Sequence, residues 1–300
     1  MFHGSEQSTL FANLFFHFEI ELTADGSPTA RLKKQGYEKN SEPKLIDHET
    51  RLESMHNSQG AASETAYIYT LPFKLMQKFY ENKNSQSSLS SMNILVVGLG
   101  LGYIELSLLL QIYKFHLKPN RFKLASFEKV DELKNNFQKS ILGLSQNYNQ
   151  QNQQSSLEKL YDLIIEKIFE QQVEKIEFTK KQYIEFIKNT LSDSSDQWSF
   201  YKELALTTQL NEKYQFVAFD AFSQKTDEPL WSEEFLNYFL TTICDQNCIF
   251  TTYACTGVLK KTLIKNGFIF IKRTGFKGKR DATLAIRGDF STDLELFQNV

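Results

Sequence analysis

Cysteine and proline are scarce in this sequence. The three cysteines, Cys244, Cys248 and Cys255, are too few and odd in number for a disulfide framework. No histidine lies near Cys244 and Cys248 to complete a metal site, so they read as structural and no metal is expected. Five prolines and 13 glycines in 300 residues exclude collagen-like and low-complexity architectures. There is no long hydrophobic run. The most apolar stretch, 92–113, has a glycine-rich centre and carries Glu105 and Gln111; it reads as strand, loop and helix rather than a membrane span. The first residues, MFHGSEQSTLF, lack a basic segment followed by an apolar one, so no secretory signal is evident and a cytoplasmic protein is expected. No charge sign dominates either, because 34 Lys+Arg against 36 Asp+Glu leave a formal charge of −2. Such a total says nothing about nucleic acid, for which only a local patch counts. Finally, no Gly-x-Ser-x-Gly elbow accompanies Ser54, His56 and Glu64, which argues against a hydrolase.

What is present has the mix of an ordinary globular chain, with 41% hydrophobic and 23% charged residues and 26 phenylalanines. Residues 15–22 read as a strand, the Asp25-Gly26 pair as a turn, and 29–34 as the returning strand. Residues 38–66 are polar and irregular, a helix is expected over 71–80, and 81–91 is a polar linker. From residue 93 strands and helices alternate. Strands are expected at 93–97, 122–127, 216–219 and 248–253, and helices at 104–115, 130–142, 232–243 and 258–265. Residues 146–156 are Asn/Gln-rich, and helical segments are expected to fill much of 157–212. Residues 267–272 and 283–287 form a terminal hairpin. This alternation predicts an α/β fold with a mostly parallel sheet covered on both faces.

Four groups of residues carry chemistry. Gly98-x-Gly100-x-Gly102 follows a strand and opens a helix, so backbone approaches a ligand closely and free N–H groups face it. The spacing is shorter than the Gly-x-Gly-x-x-Gly of dinucleotide sites and suits S-adenosyl-L-methionine, which has no pyrophosphate. Glu128 ends the next strand, where an acid accepts bonds from ribose hydroxyls. Asp220 ends a later strand at the same sheet edge and is placed to orient an amine or take its proton. Pro229-Leu230-Trp231 lies in a loop beside it. Each of these acids also has a plain reading as a helix or turn cap. Residues 257–287 hold Lys260, Lys261, Lys265, Lys272, Arg273, Lys277, Lys279, Arg280 and Arg287 against Asp281. That local excess suits phosphate tracking as well as a solvated face.

In order along the chain, these blocks resemble the methyltransferase component of the bacterial enzyme that makes 5-methylaminomethyl-2-thiouridine at the tRNA wobble position. The resemblance runs through Thr23-Ala24-Asp25-Gly26-Ser27, Glu53-Ser54-Met55-His56, Gly60-Ala61-x2-Glu64-Thr65 and the glycine loop. It continues through Ser126-Phe127-Glu128-Lys129, Asp220-Ala221-Phe222-Ser223, Trp231, Thr252-Tyr253, Gly257-Val258 and Gly275-Phe276-x2-Lys279-Arg280. It spans most of the chain outside 140–200.

The resemblance implies a Rossmann-like class I methyltransferase that uses S-adenosyl-L-methionine. It implies a core over 92–288, a diverged insertion at 143–200, and a small β-rich extension over 1–80 packed on the core. Its substrate would be the exocyclic amine of 5-aminomethyl(-2-thio)uridine in the tRNA anticodon loop. Asp220 would act on that amine. Gly98, Gly100, Gly102 and Glu128 would hold the cofactor. Phe222, Trp231 and Tyr253 would wall the base pocket, and Lys279 and Arg280 would meet tRNA. No second fingerprint for FAD is present, so a separate FAD-dependent oxidase is expected to act upstream. Two positions depart from the family pattern. Val96 stands where an acid is usual, leaving Glu64 or Glu105 as substitutes at the methionine end. Glu203 is the nearest match to the acid that faces adenine. Another amine or protein substrate, or a non-catalytic RNA-binding or assembly role, remains an open alternative on these residues.

Overall fold

The computed structural model describes residues 11, 13–33, 54–83, 92–116, 121–148, 154–192, 197–278 and 281–298. Glu53, Lys279 and Arg280 lie outside them, as does most of the 81–91 linker.

Period-two alternation builds the centre of the molecule. Among the described residues there are nine strands: β1 (Phe18–Leu22), β2 (Pro28–Leu32), β3 (Met92–Val97), β4 (Phe122–Phe127), β5 (Trp198–Tyr201), β6 (Tyr214–Phe219), β7 (Cys244–Thr252), β8 (Ile269–Arg273) and β9 (Ala282–Arg287). Ile94, Val96, Leu124, Phe216 and Ala218 enter one buried cluster, while Leu95, Val97, Phe127, Val217 and Phe219 enter another. A sheet buried on both faces needs apolar residues of both parities, and β3 is buried at all six positions. The seven-stranded sheet runs β5-β4-β3-β6-β7-β9-β8. Its members pair in parallel except β9, which is antiparallel to β7 and β8. Strand order reverses at β3, so a crevice opens at the carboxyl ends of β3, β4 and β6.

The helices are α1 (Ala61–Thr65), α2 (Leu71–Asn82), α3 (Tyr103–Lys114), α4 (Asp131–Asn147), α5 (Ser156–Glu170), α6 (Lys180–Leu191), α7 (Glu233–Thr242), α8 (Gly257–Lys265) and α9 (Leu294–Gln298). Capping boxes start α5 at Ser155/Glu158 and α6 at Thr179/Gln182. Ser232 and Thr256 cap α7 and α8. One face of the sheet carries Leu106 and Leu109 of α3, Phe137 of α4 and Ile164 of α5; the other carries Phe235 and Phe239 of α7 and Leu259 of α8. One turn of π-helix, Ala66–Thr70, joins α1 to α2.

The β1–β2 hairpin turns at Asp25-Gly26, with Leu22 opposite Pro28. Its Phe18 and Ala30 share the first cluster with the sheet. The turn also anchors α1. Ser27 Oγ accepts from the Ala61 and Ala62 N–H groups at 2.9 and 3.1 Å, and Asp25 Oδ2 accepts from Ser63 N–H at 3.2 Å. These are donors that a helix N-terminus leaves unpaired.

The structure departs from expectation in two places. α5 and α6 fill part of 157–212, but after α6 the chain forms a strand, β5, that was not expected, and then an irregular crossing to β6. Strand β5 is only four residues, and its sequence, Trp-Ser-Phe-Tyr, gives no period long enough to read. Residues 61–65 are helical inside a stretch expected to be irregular, because the donors of α1 are met by the distant hairpin turn rather than by a local cap.

Candidate active site

The crevice is a cleft of about 650 Å³, within the range of about 300–1,000 Å³ usual for small-molecule sites. The glycine loop forms its floor. Gly98 has φ +91°, and a Cβ there would come within 2.6 Å of the Asp220 carbonyl oxygen. The absent side chain is what lets the β3 and β6 termini close up. Gly102 has φ +79°, and a Cβ there would enter the Phe137 ring at 2.4 Å, so glycine also seats α3 on α4.

Glu128 ends β4 on the cleft wall. Its Oε2 accepts from Gly100 N–H at 2.9 Å and its Oε1 from Val130 N–H at 2.8 Å. Burial raises its pKa, against the lowering effect of these N–H donors. Beyond β5, residues 202–207 line the same wall. Glu203 is among them and exposed, while the neighbouring Lys202 pairs with Asp131 at 2.6 Å.

Asp220 lies at the end of β6, with its N–H bonded to the Val97 carbonyl at 2.8 Å. Its Oδ1 accepts a hydrogen bond from Tyr69 of the π-helical turn. Glu64 of α1 is buried, lines the cleft and accepts from Asn57 N–H at 2.7 Å. Glu105, the other substitute considered for Val96, is different. It is wholly buried, is not on the cleft wall, and accepts from Ser126 Oγ at 2.8 Å. Trp198 Nε1 in turn donates to that Ser126 oxygen at 3.0 Å. Burial raises the Glu105 pKa to about 8, so it is largely protonated at neutral pH.

The three aromatic candidates separate. Phe222 and Tyr253 line the cleft. Trp231 does not: it is buried against Phe219, and its indole N–H donates to the Phe222 carbonyl at 2.6 Å. Tyr253 donates to the Ala221 carbonyl at 3.0 Å. Both residues therefore hold the 220–222 segment in place. The basic segment separates too. Arg287 is bonded to four backbone carbonyls, and Arg273 is buried and bonded to the carbonyls of Tyr67 and Ile68. Lys272 pairs with Asp281 at 2.8 Å and Lys265 with Glu233 at 3.9 Å. Lys260, Lys261 and Lys277 are exposed.

Six carboxylates line the cleft (Glu64, Glu128, Glu203, Asp220, Asp227 and Glu234) against Lys129 and Lys202. That balance disfavours a pyrophosphate and favours a cation. It fits S-adenosyl-L-methionine, whose sulfonium is positive. The apolar walls at Val97, Phe127, Val130, Leu133 and Leu204 suit its adenine and alkyl parts. Among the described residues no group of three or more His, Cys, Asp or Glu is placed to hold a metal ion, and no helix is long and apolar enough to cross a membrane. Sequence reasoning missed Tyr69. It carries no charge and no motif, and its aim depends on a π turn that no local pattern announces.

Fold and site point to a class: the fold is that of class I S-adenosyl-L-methionine-dependent methyltransferases. Residues 165–288 match the model of a family described as S-adenosyl-L-methionine-dependent methyltransferase, and this match assigns the cofactor. Among solved structures it is similar to MnmC2 from Aquifex aeolicus, with a TM-score of 0.55 and 20% identity over 97% of this chain and 79% of that one. Magnesium protoporphyrin IX methyltransferase from Synechocystis with bound SAM aligns at a TM-score of 0.35 and 12% identity, over 73% of this chain and 80% of that one. No curated protein matches.

Proposed function

We propose that this chain methylates the exocyclic amine of 5-aminomethyl(-2-thio)uridine at the wobble position of tRNA. The observation that carries the reading is Asp220, which lines the cleft at the switch-point edge with its carboxylate held by Tyr69. The family resemblance of the sequence blocks supplies the substrate class. When bound, S-adenosyl-L-methionine supplies a methyl group carried on a positive sulfur. Of the residues lining the cleft, Glu128 would accept from its ribose hydroxyls, Glu64 would hold its methionine amine and Glu203 would meet its adenine. Asp220 orients the substrate amine and takes up its proton, which leaves the nitrogen lone pair available. Phe222 and Tyr253 wall the base, which enters from a single-stranded loop. The acidic cleft repels phosphate, so the RNA backbone is held outside it, by Lys277 with Lys279 and Arg280. The amine itself is supplied by a separate FAD-dependent oxidase.

Nucleoside mass analysis of tRNA from cells lacking the protein tests this reading. Accumulation of 5-aminomethyl-2-thiouridine is expected, and purified protein should methylate that tRNA. A purified protein that binds S-adenosyl-L-methionine yet leaves such tRNA unmodified overturns the substrate.

A further inference from the structure

The π-helical turn Ala66–Thr70 is held by more contacts than a helix joint needs. Such a turn displaces its carbonyls from the regular ladder. Here they are met from two strands. Thr251 of β7 donates to the Ile68 carbonyl at 2.7 Å. Arg273 of β8, nearly fully buried, donates to the carbonyls of Ile68 and Tyr67 at 3.4 and 2.8 Å. Its guanidinium also lies over the Tyr67 ring at 4.3 Å, and the Tyr67 hydroxyl reaches the Thr274 carbonyl at 2.9 Å. Burying a guanidinium is unfavourable unless it satisfies specific acceptors. What these contacts fix is the residue between them and the cleft, Tyr69. It is buried, it lines the cleft, and its hydroxyl donates to Asp220 Oδ1.

We infer that Tyr69 is a positioning residue for methyl transfer, holding the Asp220 carboxylate in one orientation for the incoming amine. This rests on the function proposed above. A hydroxyl that donates to a carboxylate favours its charged form, and the charged form is the one that orients an amine. The titratable groups that face Asp220 include Tyr69 and, at longer range, Glu105, and Tyr253 and Glu64 lie in the cluster around Tyr69. Of these, the Tyr69 hydroxyl donates directly to the Asp220 carboxylate.

Tyr69→Phe keeps the ring and removes the donor. With tRNA bearing 5-aminomethyluridine, kcat should fall about 10- to 100-fold, while KM for tRNA and the Kd for S-adenosyl-L-methionine stay within about twofold. In an Asp220→Asn background the same change should have no further effect on kcat. Independently of any substrate, carbon-13 NMR of labelled aspartate carboxyls, with Asp220→Asn for assignment, should place the Asp220 pKa about one unit or more higher in Tyr69→Phe. A parent enzyme that methylates no such tRNA overturns the proposed substrate, and the NMR titration then decides the role of Tyr69. An Asp220 titration unmoved by Tyr69→Phe overturns this inference, as does an unchanged kcat in an active enzyme.

Discussion

Glu105 is a wholly buried carboxylic acid, and its charge state sets a pH dependence. Its folded pKa of about 8 lies above the ordinary 4.5. Between those values the folded chain keeps a proton that the unfolded chain has released. Stability from this group therefore falls as pH rises from 4.5 to about 8. Glu105→Gln keeps the shape and removes the titration. The variant should match the parent near pH 4.5 and exceed it at pH 8 by on the order of a few kcal/mol. Urea midpoints at both pH values check this, and equal pH trends in the two proteins would count against it. At Gly98 the limit is space. A Cβ would stand 2.6 Å from the Asp220 carbonyl oxygen at a φ of +91°. Gly98→Ala should cost about 1–3 kcal/mol and weaken S-adenosyl-L-methionine binding, read by thermal unfolding and calorimetry. The positions of the glycine loop and of Glu128 were legible in the sequence because they are local, set by a loop and the next strand end. Tyr69 and the buried side of Trp231 were not, because each is defined by a partner far away in the chain.

At the scale of elements, the hairpin turn and α1 form one unit. Thr23, Asp25 and Ser27 bond to one another, and Asp25 and Ser27 also meet the first N–H groups of α1. Burial raises the Asp25 pKa, but donors from Ser27, Ser63 and Thr23 outweigh it and hold it at about 2. The stability Asp25 contributes is thus complete above its ordinary 3.8 and is lost as pH falls from there toward about 2. Ser27→Ala should remove about 1–2 kcal/mol, the cost of losing a helix cap. It should also loosen Glu64 and so weaken S-adenosyl-L-methionine binding. An unfolding midpoint unchanged from the parent would show that the turn does not anchor α1. The Asp-Gly turn was readable as a turn, but its role as a remote helix cap was not, since 34 residues separate Ser27 from Ala61. Strand β5 escaped for the opposite reason: it is too short to show a period.

Across the whole molecule, charge is sorted by location. The excess of lysine and arginine in 257–287 suited phosphate tracking as well as a solvated face. Arg273 and Arg287 instead serve internal carbonyls, and Lys272 has an acidic partner. The remaining candidates are the exposed Lys260, Lys261 and Lys277 together with Lys279 and Arg280, which follow Lys277 in sequence. Replacing Lys277, Lys279 and Arg280 with Glu should raise the tRNA Kd at least 10-fold near 0.1 M salt. It should flatten the salt dependence by about two units of slope and leave the Kd for S-adenosyl-L-methionine unchanged. Filter binding over a salt series measures both, and an unaltered slope would exclude this segment from the RNA surface. The α/β class was legible from alternation alone, because it depends only on the order of elements. The fate of each arginine was not, because composition does not say which side of the surface a side chain takes.

The π turn also sets a phase. Each residue of an α-helix advances the chain by about 100° around its axis, and a π turn behaves as one inserted residue. Upstream of it, Ser63 is fastened to the hairpin turn, and Glu64 follows on the same helix; near its end, Tyr69 meets Asp220. Deleting one residue from 66–68 would give an unbroken helix of ordinary geometry, yet it would swing Glu64 about a quarter-turn or more relative to Tyr69. Registry between the two ends of the cleft is therefore a property of chain length at this point, and substitutions that preserve length should disturb it less than a single deletion.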